Sequence, residues 1–230
     1  MAVQRFRVWF SKGERVRYIS HLDVLRAWER SLRRAGLPLA YSQGFTPHPK
    51  IAFASPLPLG FTSEAELMDI TLDERVDAAE FRERLTAESS PDLLATAVEE
   101  VPLNTPPPQA VLLWADYRAL LPCVPLETAA CRAASFLELA ELPWTVEKAD
   151  KSRTYDLRAA VAHLHAAAAE AGCTLSMRLS AGQELTARPE HLLAALLPGV
   201  EAALITRTGL LLEEHSPARE AWRRRGQYET

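Results

Sequence analysis

Three consecutive prolines, Pro106, Pro107 and Pro108, stand near the middle of the chain in the run N-T-P-P-P-Q. Proline lacks a backbone N–H and fixes φ, so neither a helix interior nor a central strand can run through them. They predict a link over residues 103–109 between two cores, and 230 residues are enough for two domains of about 100 each. The expected organisation is a first domain over residues 1–102 and a second over 110–215. A basic tail follows over 216–230, carrying Arg219, Arg223, Arg224 and Arg225.

Each half carries one order of patterns. In the first, Phe6, Val8 and Phe10 alternate with Arg5, Arg7 and Trp9, which predicts a strand. A helix over residues 20–35 follows, then a short strand at 51–54, a strand through Met68, Ile70 and Leu72, a helix through Phe81 and Leu85, and a strand at 93–101. Strand, helix, strand, strand, helix, strand is the split βαββαβ arrangement, so the expected class is α+β with tandem ferredoxin-like domains. In the second half, strands are predicted at 111–121, 144–148, 173–179 and 203–213, and helices at 126–139 and 189–197. Residues 156–170 lean helical by their alanines, with extended structure open over part of the segment. The halves share this pattern without obvious sequence identity.

The chemistry concentrates in residues 15–60. Ser20 is placed to cap the first helix, with Asp23 three residues on as in a capping box, and Gly36 suits the stop. His21, Leu25, Trp28, Leu32 and Ala35 recur on one helical face, while Arg26, Arg30, Arg33 and Arg34 fall on another. Arg15, Arg17 and Tyr18 precede the helix. After it, Tyr41, Phe45, His48 and Lys50 lie within ten residues, broken by Gly44, Pro47 and Pro49. A helical arginine row is ordinarily a solvated face. Joined to aromatic and cationic groups on a restricted loop, it matches what a polyanion with stackable bases requires. The nucleic-acid-binding set is therefore Arg15, Arg17, Tyr18, His21, Arg26, Arg30, Arg33, Arg34, Tyr41, Phe45, His48 and Lys50. If the chain were a nuclease, His21 would be the general acid or base on an RNA 2′-hydroxyl, with Tyr18 or an arginine steadying charge; the plain alternative is a packed histidine.

Net charge is −4, yet residues 1–60 hold ten Lys or Arg against Glu14, Asp23 and Glu29, roughly +7, leaving roughly −11 elsewhere. An acidic whole thus leaves room for a basic surface and a nucleic-acid partner. No apolar run approaches the roughly 20 residues of a membrane span, and the start lacks a signal peptide's apolar core. Cys123, Cys131 and Cys173 fit a reducing cytoplasm as buried thiols. Neither a C-x-x-C pair, a P-loop nor a G-x-G-x-x-G run occurs, so no metal or cofactor is expected. His163 and His165 are two apart, the wrong spacing for a helical ligand pair. Glu64, Glu66 and Asp69 form an acidic group that reads as a solvated strand edge, with a cation site as the weaker alternative.

R-Y-I-S-H-L-D at residues 17–23, E-R-S-L-R-R-A-G-L-P at 29–38, Y-S-Q-G-F-T-P-H-P-K at 41–50 and P-L-P-L-G at 56–60 resemble the bacterial radical SAM-linked family. Where many of its members have His after Y-S, this chain has Gln43. The resemblance implies a partner, a radical SAM protein of the cobalamin-binding type, rather than an activity; lacking the three-cysteine motif, this chain is not that enzyme. At the level of fold alone the pattern is also similar to the repeat-RNA endoribonucleases of the CRISPR RAMP superfamily. The expectation is a cytoplasmic, non-catalytic accessory protein that binds RNA and presents it to a radical SAM partner. The alternatives are a metal-independent endoribonuclease using His21 and a protein-interaction module without nucleic acid.

Overall fold

The protein is described by a computed structural model covering residues 2–148 and 151–213. These form two compact units, residues 2–112 with 210–213 and residues 113–209. No helix among the described residues is long and apolar enough to cross a membrane.

The first unit contains strand β1 (Gln4–Lys12), helix α1 (His21–Arg34), β2 (Ile51–Phe53), β3 (Thr62–Leu72), α2 (Ala78–Glu88), β4 (Ala95–Glu100) and the single turn α3 (Pro108–Val111). β1 pairs antiparallel with β3 on one side and β4 on the other, and β2 pairs antiparallel with β3, giving the order β4-β1-β3-β2. The period-2 pattern of β1 delivers Phe6, Val8 and Phe10 to one face, where they meet Met68, Ile70 and Leu72 of β3. Trp28 and Leu32 of α1 and Phe81 and Leu85 of α2 close this core. Phe6 stacks on Phe81 with ring centroids 4.1 Å apart, and Phe10 meets Trp28 edge-on at 5.1 Å.

The other face of β1, which carries Arg5, Arg7 and Trp9, is largely buried too, although two of these three residues are charged. Arg7 is fully buried and grips Asp69 of β3 with two hydrogen bonds, Nε to Oδ1 at 2.6 Å and Nη2 to Oδ2 at 2.9 Å. Arg7 also donates to the Pro106 carbonyl, and Arg5 to the carbonyls of Pro102 and Thr105. The proline segment is thus fastened to β1, with Thr105 and Pro108 buried. Pro102 and Pro106 contribute acceptors here and no N–H of their own, and the Pro102 carbonyl also accepts from the Thr105 N–H.

The second unit contains β5 (Leu112–Leu121, its first residue counted with the first unit), α4 (Leu126–Leu137), β6 (Pro143–Lys148), β7 (Lys151–Asp156), β8 (Val161–Ala168), β9 (Cys173–Ser180), α5 (Pro189–Leu196) and β10 (Leu204–Leu212, which ends in the first unit). β9 pairs antiparallel with both β5 and β8, and β10 lies beside β5. β6 and β7 form a separate antiparallel pair.

Two expectations are corrected here. The alanine-rich segment expected to lean helical is the strand β8 over most of its length. Its partner β9 alternates buried Cys173, Leu175, Met177 and Leu179 with half-buried residues, and a regular strand edge of this kind overrides the weak helical preference of Ala166–Ala168. The cysteines are not all buried: Cys173 is, whereas Cys123 and Cys131 are exposed. The expected basic tail lies outside the described residues.

Arg7→Leu removes both hydrogen bonds to the buried Asp69 carboxylate and leaves it only the longer 3.7 Å ion pair with Arg5, at an expected cost of about 3–5 kcal/mol in urea denaturation. Adding Asp69→Leu should recover much of that loss. A double variant as unstable as the single one would show that the pair contributes through packing rather than charge.

Candidate nucleic-acid interface

The turn before α1 is held from two sides. The Lys12 ammonium is buried at the end of β1 and donates to the carbonyls of Arg17 (3.0 Å) and Ile19 (3.3 Å). The Gly60 N–H donates to the same Arg17 carbonyl at 2.9 Å, joining the P-L-P-L-G run to the R-Y-I-S-H run. Gly60 has φ of 82°, in the left-handed region that favours glycine, and an added Cβ would sit 3.6 Å from the Tyr18 ring. Tyr18 stands 69% exposed above this turn, with the Arg17 guanidinium bonded to its hydroxyl and to Glu14.

α1 starts and stops as its sequence specifies. The Asp23 N–H donates to Ser20 Oγ, while the Ser20 hydroxyl donates to the Asp23 carboxylate at 2.7 Å, a bond that lowers the Asp23 pKa. At the other end Gly36 has φ of 63°, and the N–H groups of Gly36 and Leu37 return to the carbonyls of Arg33 and Leu32, a Schellman closure. The buried face is Val24, Trp28, Ser31, Leu32 and Ala35, so the expected face is rotated slightly, and Leu25 and His21 lie half-buried at its margin.

His21 sits at the first helical position with its ring edge-on to Phe53, centroids 4.9 Å apart. With Phe10, Lys12, Val24, Leu57 and Glu66 it lines a cavity of about 10 Å³, room for about one water and too small for a ribose. Burial pushes the imidazole pKa down, with Glu66 opposing in part.

The charge of the first sixty residues is only partly available to a ligand. Arg7 and Lys12 are buried, and Arg5 is nearly so. Arg17 pairs with Glu14, Arg26 with Asp23, and Arg34 with the carboxylate and carbonyl of Glu88 at the end of α2. Arg15, Arg30, Arg33 and Lys50 are exposed and have no ion-pair partner among the described residues. On α1 the open face is therefore Arg30 and Arg33, with Arg26 one turn earlier.

Residues 41–50 form a tongue with a hydrogen-bonded base. Ala40, Lys50 and Thr71 close a three-way backbone clamp: Ala40 N–H donates to Thr71 O, Thr71 N–H to Lys50 O, and Lys50 N–H to Ala40 O. Tyr41 bridges to Pro49, Ser42 N–H donates to His48 O, and His48 N–H donates to Ser42 Oγ. Gly44 has φ of 135° at the tip, and next to it Phe45 is fully exposed. Tyr41 is 37% exposed, and Lys50 and His48 are exposed on the same tongue. Tyr41, Gln43 and Lys50 also line an open cleft of about 650 Å³ with Ala2, Ala40 and Asp73.

The acidic group is not a solvated edge. Glu64 is exposed, but Glu66 is 4% and Asp69 2% exposed, Asp69 being bound to Arg7. Among the described residues no three His, Cys, Asp or Glu side chains gather as a metal site requires. His163 and His165 are exposed on one face of β8 with rings 6.4 Å apart, an outcome of period-2 spacing on a strand.

Sequence reasoning missed one cluster in the second unit. Trp144 on β6 stands opposite Tyr155 on β7, and the Tyr155 hydroxyl shares a 2.9 Å hydrogen bond with His191 Nδ1 on α5. The Trp144 and His191 ring centroids are 6.0 Å apart. Burial raises the Tyr155 pKa and lowers that of His191. The available signal was the pair of aromatic residues, Trp144 and Tyr155, on either side of a charged run in the sequence.

Mixed α+β units with mostly antiparallel strands define the class of fold. Within it, the chain belongs to the family described as an uncharacterized protein conserved in bacteria (DUF2344), whose sequence profile matches residues 5–189. No curated protein matches the chain. Among solved structures it is similar in fold to a chain of the "Crystal Structure of a Cbf5-Nop10-Gar1 Complex", at 14% identity and a TM-score of 0.50. The match covers 89% of this chain and 48% of that one, so the protein spans about half the length of that structural relative.

His21 and His191 both have lowered pKa values, so the unfolded chain takes up protons more readily than the folded one. Their contribution to stability is complete above the ordinary imidazole value of about 6.5 and is lost as pH falls through the lower folded values. In melts from pH 8 to 5, His21→Gln and His191→Gln should each flatten the decline below pH 6.5. An unchanged decline in both would contradict the assigned burial.

Proposed function

We propose that this protein binds single-stranded or looped RNA through the tongue of residues 41–50 and the open arginines of α1, and presents it to a partner enzyme in the cytoplasm. The observation that carries the reading is the tongue itself. A backbone clamp fixes its base, and its tip holds a fully exposed Phe45, flanked by Tyr41, His48 and Lys50. A single exposed ring is ordinary by itself; what supports the reading is its company of a second ring and two basic side chains on one tongue, because bases stack on such rings whatever their sequence. Arg30 and Arg33 add phosphate-binding charge, and among the described residues no carboxylate pairs with either.

The partner half of the proposal, a radical SAM protein of the cobalamin-binding type, rests on the resemblance of residues 17–60 to the radical SAM-linked family. The order β4-β1-β3-β2 supports reading the first unit as ferredoxin-like. The order β10-β5-β9-β8 supports a second such unit decorated by the β6–β7 pair. A nuclease reading centred on His21 draws no support from a cavity with room for about one water.

The test is RNA affinity measured at several salt concentrations. Arg30→Ala with Arg33→Ala should lower the salt slope by about 0.7 to 0.9 for each phosphate that is no longer neutralised, whereas Arg34→Ala, already tied to Glu88, should change it little. Phe45→Ala should cost about 1–3 kcal/mol with the slope nearly unchanged. Wild-type protein without measurable RNA affinity at low salt would defeat the reading and leave the tongue as a protein-docking element.

A further inference from the structure

The cleft beside the tongue has a composition that the RNA-binding reading does not by itself require. Its volume, about 650 Å³, lies within the range of small-molecule sites, about 300–1,000 Å³. Tyr41 offers a ring, Ala2 and Ala40 an apolar floor, Gln43 an amide, Lys50 an ammonium and Asp73 a carboxylate. The backbone around it is hydrogen-bonded: Asp73 N–H donates to Pro38 O, and the Ala40–Lys50–Thr71 clamp ties down two of the lining residues. No side-chain hydrogen bond or ion pair to the rest of the described chain engages Tyr41, Gln43, Lys50 or Asp73, so their polar groups remain open to a ligand.

We infer that this cleft takes one unstacked guanine base of the bound RNA, an inference that rests on the RNA-binding reading. The carboxylate decides the base. An ionised Asp only accepts hydrogen bonds, and its two oxygens match two adjacent donors. Guanine alone presents such a pair on its Watson–Crick edge, N1–H beside the 2-amino group. Adenine and cytosine place a ring-nitrogen acceptor beside their single amino group, and uracil flanks N3–H with two carbonyls, so each would face the carboxylate with a lone pair. Tyr41 supplies the stacking surface. The Gln43 amide can donate to O6, and Lys50 is the cation for the adjoining phosphate. Asp73 gives the cleft a reason to hold a negative charge where phosphate binding alone would favour none.

The experiment compares fluorescently labelled ten-nucleotide oligouridine RNAs whose central residue is guanosine, inosine, adenosine or uridine, by anisotropy at low salt. The guanosine RNA should bind about tenfold tighter than the adenosine or uridine RNA, the scale of a bidentate hydrogen bond to a base, with inosine between them because it lacks the 2-amino group. Asp73→Ala removes an exposed side chain and keeps the backbone bond to Pro38. It should erase the guanosine preference, so that the guanosine, inosine, adenosine and uridine RNAs bind alike. Phe45→Ala should weaken all four RNAs alike. Equal binding of the four RNAs by the wild type, or a guanosine preference that survives Asp73→Ala, overturns the guanine cleft while the RNA-binding reading stands. Absence of binding to every RNA overturns both.

Discussion

The buried pair of Arg7 and Asp69 sets the register on which the first unit depends. Arg7 stands directly opposite Asp69 across β1 and β3, with Phe6 opposite Ile70 and Val8 opposite Met68. A slip of one residue would turn a guanidinium into the aromatic core and a phenyl ring onto the polar face, so the pair and the alternation enforce the same alignment. The segment of β3 thus fixed, residues 68–70, is also the segment on which β2 lies, with Ala52 opposite Asp69. β2 begins where the tongue ends, and Thr71 in the same strand completes the clamp at its base. A buried ion pair is seldom a net source of stability, because desolvating two charges offsets most of their attraction. Here its consequence is positional, since an alignment set deep in the sheet fixes an exposed loop.

The basic surface is smaller than the residue count suggests, and its division follows from geometry. Arginines that point along the sheet or toward α2 are consumed by Asp69, by the carbonyls of the proline segment and by Glu88. Lys12 secures the turn that carries Tyr18. Those on the outer face of α1 and at the end of the tongue remain open. The proposed interface therefore relies on few charges and on rings, which suits recognition of unpaired bases better than of duplex backbone.

How much of this was legible in the sequence depended on whether the signal was local. The β1 alternation, the Ser20 cap and the Gly36 stop involve neighbours in sequence, and each appears in the structure as its pattern specifies. The tongue was legible as an aromatic and cationic run, but its clamp requires Thr71, some twenty residues further on. Burial of Arg7 and Asp69 was not legible, because a polar strand face reads as solvated unless the segment covering it is known. The same reasoning misread Glu66. β8 was ambiguous because alanines fix neither period, and only the edge of β9 decides the matter. Asp73 could not have been assigned to a cleft with Tyr41 and Lys50 without the turn that brings them together.

The central claim is that the tongue touches RNA bases. The most direct measurement is photocrosslinking of the intact protein to 4-thiouridine RNA, with the modified residues located by peptide mass spectrometry. The account predicts adducts on residues 41–50, foremost Phe45 and Tyr41. Adducts confined to the second unit, with residues 41–50 unmodified, would contradict it.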